Sequence, residues 1–119
     1  YELCVRRGRN AATAAGPLDL SGWRAAGIGG DMIRPAVLSR FAETFAPDGF
    51  RAGSFVPSYG MAEATLAISF APLGSGVRAD TVDLDRLERE GVAAPPATGS
   101  RRVRSFVLCG PPLPGTELE

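Results

Sequence analysis

Apolar residues stand at helical spacing in one clear stretch of the chain. Leu38, Phe41, Ala42 and Phe45 lie at i, i+3, i+4 and i+7, which puts them on one stripe of an amphipathic helix. Pro35 suits the first helical position, because its φ is already fixed near the helical value and its missing N–H would find no partner there. Pro47 and Gly49 follow Phe45 and stop the helix. Strands are predicted on both sides of it: residues 23–28 (WRAAGI), running into the pair Gly29-Gly30, and residues 54–56, running into Pro57. Residues 58–60 read as a turn. Residues 62–70 are apolar and small, and their type is ambiguous: 62–67 suits a short helix and 68–70 a strand.

Towards the ends the pattern is less regular. Residues 1–7 look like the end of a helix, and residues 8–17 like a small-residue loop with some helical content. Asp83 is placed to cap a short helix over Leu84–Glu90, and residues 91–102 form a surface loop or linker rich in Pro, Gly and Ala. Residues 103–108 predict another strand, closed by a turn over 110–115. Strand, helix and strand joined by connections of this length make the parallel crossover unit of α/β proteins. The later strand, with no long helix before it, predicts a second sheet or an edge beginning near Val103. The expected fold class is therefore α/β, with a partial parallel sheet, crossover helices and the start of a further β subdomain.

Composition narrows the functional classes. The 119 residues suffice for one small core. Thirteen basic and thirteen acidic residues give zero formal net charge, which argues against a nucleic-acid footprint. No apolar run is long enough to span a bilayer, and no secretory signal is visible. All the basic residues are Arg, and there is neither Lys nor His. The chain thus lacks the usual mobile cation of phosphoryl sites and the commonest general base. A high-GC coding bias explains the all-Arg usage more simply than function does. Cys4 and Cys109 form no metal or redox spacing, and two ordinary buried or partly buried thiols in a cytoplasmic protein are favoured over a disulfide. Tyr1 at the start and Glu119 at the end give the expectation of a piece cut from something longer.

Two constellations bear on chemistry. Gly29-Gly30 ends the first predicted strand, where ligands bind in parallel α/β sheets and where missing side chains let a backbone approach a planar or anionic group. The plainer reading, a tight strand-to-helix turn, is favoured on the glycines alone. Residues 58–63, Ser-Tyr-Gly-Met-Ala-Glu, place an aromatic ring, a glycine and a carboxylate within a few positions. The ring could stack on a base, the glycine could admit backbone, and the carboxylate could hold Mg²⁺. Equally, Tyr59 could pack at a surface and Glu63 could serve as a helix-start acid. Spacing leaves these two readings in balance.

Residues 18–70 as a whole resemble the fatty acyl-AMP ligases. These belong to the adenylate-forming superfamily of acyl-CoA synthetases, luciferases and peptide-synthetase adenylation domains. The superfamily's Tyr-Gly-x-Thr/Ala-Glu motif stands here as Tyr59-Gly60-Met61-Ala62-Glu63. Ala62, followed by Ala64-Thr65-Leu66, resembles the fatty acyl-AMP ligase branch, as do Phe41-Ala42-Glu43, Phe45-Ala46-Pro47 and Gly49-Phe50 upstream. Residues 106–115 resemble the strand and turn that follow, so the likeness covers most of the chain, least closely over 81–102.

The resemblance implies an internal portion of the large N-terminal adenylation domain, extending over residues 1–119. It implies ATP and Mg²⁺ as cofactors, a fatty acid as substrate, and an acyl carrier protein or polyketide synthase as acceptor. Tyr59 would lie against adenine, Gly60 and Met61 would line the adenylate and acyl entrance, and Ser58 would belong to the same segment. Ala62 would occupy the place of a phosphate-contacting Thr without its hydroxyl, and Glu63 would bind Mg²⁺ as the catalytic carboxylate. Gly29, Gly30 and Asp31 match the segment beside the adenine and acyl pocket. The family's phosphate loop with its Lys, its ribose-binding Asp and its C-terminal Lys are not matched: neither residues 8–10 nor residues 74–76 fit a phosphate loop, and no Thr-Gly-Asp occurs. The 119-residue piece is therefore expected to be inactive alone. A non-catalytic nucleotide-binding or interaction module, or an acyl-CoA synthetase, remain the alternatives.

Overall fold

The first helix α1 (Glu2–Arg7), the strand β1 (Ala26–Ile28) and the longer helix α2 (Pro35–Phe45) open the fold. A computed structural model of the chain describes residues 1–8 and 16–118. The loop expected over 8–17, and the glycine-containing candidate at 8–10, fall mainly outside those residues. Pro35 does begin α2, and Leu38, Phe41 and Phe45 point inward from it as the stripe requires. They pack on Ala26 of β1, on Phe50, and on Phe55, which is only 2% exposed.

The rings in this core meet mostly edge to face, the arrangement that the aromatic quadrupole favours. Phe41 and Phe50 lie 5.0 Å apart at 88°, and Tyr1 adds its edge to Phe41 at 4.9 Å. The Tyr1 hydroxyl also donates to Gly27 O at 3.1 Å, so α1 is pinned to both the helix and the sheet.

The strand β2 (Phe55–Tyr59) runs parallel to β1, with Ala26 opposite Phe55 and Ile28 opposite Pro57. This is the expected crossover unit. Two boundaries differ from expectation. The first strand spans three residues rather than 23–28, because residues 20–25 turn locally: Trp23 N donates to Leu20 O, and the Trp23 indole donates to Ala25 O at 2.9 Å.

The second strand does not stop at Pro57, so Ser58 and Tyr59 belong to β2 and not to a turn. Pro57 O accepts from Ala71 N at 2.8 Å, on the side of β3 (Ser69–Phe70), whose antiparallel pairing with β2 ends one residue earlier. The missing Pro N–H thus falls where the ladder is already ending, which is where a strand tolerates proline. Residues 62–67 form no α-helix; a single 3₁₀ turn, Ala62–Ala64, leads to β3.

A second, two-stranded sheet pairs β4 (Ala79–Asp83) with β5 (Val103–Val107) in antiparallel register, from Ala79 opposite Val107 to Asp83 opposite Val103. It begins earlier than Val103, since β4 was not foreseen: only Val82 of its five residues is buried. Between the strands lies α3 (Leu84–Glu90), capped by the Asp83 carboxylate accepting from Arg86 N at 3.1 Å. Residues 91–102 carry no helix or strand. The two sheets are tied by Ser69, which bridges to Pro112, and by Leu113 N donating to Ile68 O at 2.8 Å.

The chain is flat, 53 × 41 × 22 Å, with a radius of gyration of 17.0 Å. A compact domain of this length would measure about 13.5 Å. The core therefore lies to one side, under α2, and large apolar residues such as Leu66 and Leu73 stand exposed elsewhere. No helix among the described residues is long and apolar enough to cross a membrane.

Candidate functional site

Because β1 and β2 run parallel and end side by side, the segments that leave them open on one edge of the sheet. A cavity of about 520 Å³ lies there. Gly30 and Asp31 line it from the loop after β1, and Ser58, Tyr59 and Gly60 from the end of β2. Five of the nine residues expected at the site are thus brought together. Its volume lies within the range of small-molecule sites, roughly 300–1,000 Å³.

The sequence left the opposite wall undetected. Ser105, Phe106 and Val107 of β5, with Cys109 beyond it, close the cavity from the second sheet, and Met32 and Ile33 extend the first loop. The pattern at 103–108 marked a strand, but nothing local showed which ligand-sized space it would face.

The remaining expected residues lie differently. Gly29 does not line the cavity. A Cβ there would stand 2.6 Å from Ser58 Oγ and 2.9 Å from Ser58 O, so the glycine serves the close approach of β1's end to β2. Ser58 Oγ donates to Ile28 O at 3.1 Å and completes that junction. Met61, Ala62 and Glu63 are exposed on the 3₁₀ turn beyond the cavity wall.

The turn has an unusual backbone. Thr65 and Leu66 both take left-handed conformations, with φ of 57° and 79°, uncommon for residues with a side chain and costly in a bulky one. They direct the Leu66 carbonyl against Gly60, and a Cβ at position 60 would collide with that oxygen. Gly60 is thus required by the fold of the motif itself, whatever the site binds.

Tyr59 is half exposed, with its ring at the cavity wall, and so offers a face for stacking. Asp31 Oδ1 accepts from Met32 N at 2.6 Å, which holds that carboxylate at the loop. Cys4 and Cys109 are both free. Cys4 is exposed rather than buried, and burial pushes the Cys109 thiol above its ordinary value, so Cys109 stays protonated at neutral pH and is not poised as a nucleophile. No group of three or more His, Cys, Asp or Glu among the described residues could hold a metal by itself. A lone carboxylate such as Glu63 suits Mg²⁺ only where ligand phosphates complete the shell, the usual arrangement for that ion.

No protein-family model matches the chain. Curated relatives do. A "Putative acyl-CoA synthetase" of Caulobacter vibrioides (strain NA1000 / CB15N) is 55% identical over 119 residues, covering 100% of this chain and 20% of the relative. A "Medium-chain-fatty-acid--[acyl-carrier-protein] ligase JamA" of Moorena producens (strain JHB) is 40% identical, covering 99% of this chain and 20% of the relative. Among solved structures, one from work on fatty acyl-adenylate ligases from E. coli and L. pneumophila superposes with a TM-score of 0.88 at 46% identity, over 96% of this chain and 20% of its own. A fatty acyl-adenylate ligase from L. pneumophila, in complex with acyl adenylate and pyrophosphate, gives 0.81 at 29%, over 94% and 19%. The chain spans about one fifth of the length of the relatives it matches. Its fold is that of part of the N-terminal domain of adenylate-forming enzymes, a mixed α/β arrangement with a partly parallel sheet.

Proposed function

From the homology of this chain to fatty acyl-AMP ligases and acyl-CoA synthetases, we propose that it forms one wall of the adenylation site of a cytoplasmic, ATP-dependent fatty acid ligase. The observation that carries the reading is the convergence of Gly30-Asp31 and Tyr59-Gly60 on one cavity at the ends of parallel strands. Residues 1–119 are then a portion of the adenylation domain, and the 119-residue piece is inactive by itself.

In the proposed reaction a carboxylate oxygen of the fatty acid attacks the α-phosphorus of ATP. The bond to the bridging oxygen breaks, and the products are acyl-AMP and pyrophosphate. Tyr59 stacks on adenine, and the backbone of Gly30 and Asp31 borders the base and the acyl group, while Gly29 acts behind them by letting the end of β1 approach Ser58. Ser58, Gly60 and Met61 shape the entrance. Ala62 supplies no hydroxyl, so contact with the phosphate falls to backbone N–H groups of the turn. Glu63 is the residue that would hold Mg²⁺, which, when bound, neutralises charge on the phosphates. The protein contributes position and electrostatics, and no covalent nucleophile is required.

Glu63→Gln in the ligase that carries this segment tests the assignment. Acyl-adenylate, trapped as hydroxamate, should fall at limiting Mg²⁺ and recover in part at high Mg²⁺. Unchanged formation at limiting Mg²⁺ would remove the metal role.

The acceptor is proposed to be a carrier-protein thiol, supported by the name of the Moorena relative. A second reading, transfer to CoA, is favoured by the name of the Caulobacter relative, which is the more similar of the two. Offering both acceptors to the purified ligase decides between them.

A further inference from the structure

The two walls of the cavity are joined through main chain. Ser58, in the first wall, is the register partner of Phe70 on β3. Cys109, in the second wall, is followed by Gly110, which passes directly against the Phe70 carbonyl. A Cβ at position 110 would collide with that carbonyl and would stand 2.6 Å from Ala71 Cα. Gly110 also has a φ of 81°, a conformation that glycine takes without steric cost. Just beyond it, Ser69 bridges to Pro112 and Leu113 N donates to Ile68 O at 2.8 Å, so the chain leaving β5 is laid along β3.

A contact between main chains behaves differently from one between side chains. Neither partner can rotate away, so a group inserted there must move one sheet relative to the other, and close packing passes the shift on. From the contact between Phe70 and Gly110 the path to each wall is short: one strand pairing leads to Ser58, and one peptide leads to Cys109. Neither Phe70 nor Gly110 is among the residues assigned to adenine, phosphate or metal.

We propose that Gly110 is a positioning residue. By letting the exit of β5 lie on the Phe70 carbonyl, it fixes how far the β5 wall stands from the Tyr59 wall, and so the size of base that the cavity accepts. The part about the base rests on the adenylation reading. The junction itself rests on geometry alone.

The test uses the ligase that carries this segment, with Gly110→Ala, Gly115→Ala and Leu113→Pro. Gly115 is the control: its φ of 84° is nearly the same, but nothing lies within 4 Å of where its Cβ would stand. Leu113→Pro removes the N–H that Ile68 O accepts, and loosens the same junction without adding bulk at position 110. Pyrophosphate exchange is measured with ATP and with ATP carrying a benzyl group on the adenine amine, and amide hydrogen exchange is followed on each protein. Gly110→Ala should raise KM for ATP about tenfold and leave kcat within about twofold, the signature of lost uniform binding. It should also shift preference towards the benzyl nucleotide by about tenfold, because a parted wall admits what the native one excludes. Gly115→Ala should do neither, and Leu113→Pro should follow Gly110→Ala with a smaller effect. Amide exchange should quicken together at residues 69–71 and 105–109 in Gly110→Ala and Leu113→Pro, whatever their activity.

Equal effects of Gly110→Ala and Gly115→Ala would assign the cost to backbone conformation and overturn the proposal. An equal loss with both nucleotides, an unchanged KM in an active enzyme, or unchanged amide exchange at the two segments would overturn it as well. If Gly110→Ala fails to fold, Leu113→Pro carries the same readouts. In the wild-type protein the Leu113 amide should be protected, and fast exchange there also sinks the junction. A wild-type ligase without ATP–pyrophosphate exchange, but with coupled quickening in these two variants and not in Gly115→Ala, removes the adenylation reading and supports the junction.

Discussion

The region under α2 and the β4–β5 hairpin are held together by different physics. Around α2, Leu38, Phe41, Phe45, Phe50 and Phe55 bury themselves against Ala26, and the rings interlock at 4.6–5.1 Å for the Phe41–Phe45, Phe41–Phe50 and Phe50–Phe55 pairs. The hairpin buries little beyond Val82 and Ala94. Its cohesion comes from strand pairing and polar contacts: Thr81 with Ser105 at 2.8 Å, Asp83 with Ser100 at 2.7 Å, and Arg102 with Asp85 at 2.6 Å and Glu88 at 3.0 Å. Burial of apolar surface involves no titrating group and no Coulomb attraction for salt to screen, whereas exposed charge pairs are screened. The candidate site lies between the two regions, with loops of the ring-packed first sheet on one side and the sparsely buried hairpin on the other.

The contrast breaks most visibly at Phe55. Phe55→Ala removes the ring shared by Tyr1, Phe41 and Phe50 and should cost about 3–5 kcal/mol by denaturant unfolding. A loss confined to the hairpin would contradict the division drawn here.

Acid should act in the opposite place. The Ser100 hydroxyl, and after it the Arg86 backbone N–H, hold the Asp83 carboxyl below its ordinary value. A depressed native pKa means that Asp83's contribution is fully present above the unfolded value, about 3.9, and is lost as pH falls through the lower native one. The Arg86 and Ser100 resonances should shift across that acid window while those of Phe41 and Phe50 stay fixed. Core resonances moving together with them would count against independent regions.

Arg102→Ala should have the smallest effect. Its two partners are exposed carboxylates, and such pairs contribute little and fade with salt. The hairpin should loosen slightly in low salt, with no difference from wild type in high salt, as read by amide exchange over 103–107. A salt-independent change would mean that the pair is more than a surface contact.

The same division governs what could be read from the sequence. The α2 stripe was legible because burial writes a helical period into Leu38, Phe41 and Phe45, and Asp83 was legible because a cap is a local device. β4 was not, since a strand with one buried residue carries no apolar alternation. Pro57 misled because its cost depends on where β3 stops, which is a fact about the partner strand. At the site, Gly30, Asp31, Ser58, Tyr59 and Gly60 line one cavity, while the β5 wall required knowing how one sheet faces another. Gly29 and Gly60 were flagged for ligand approach, yet their tightest neighbours are Ser58 and the Leu66 carbonyl.

That last contact couples two positions of the turn. A Cβ at position 60 can be admitted only after the loop has taken another path, and the loop's path is set by the left-handed pair at Thr65 and Leu66. Substitutions at 60 and at 65–66 are therefore coupled sterically: a side chain at 60 fits only where the path at 65–66 has also changed. The turn is held as a unit by its own geometry, so a glycine at position 60 reports the shape of the turn before it reports any ligand.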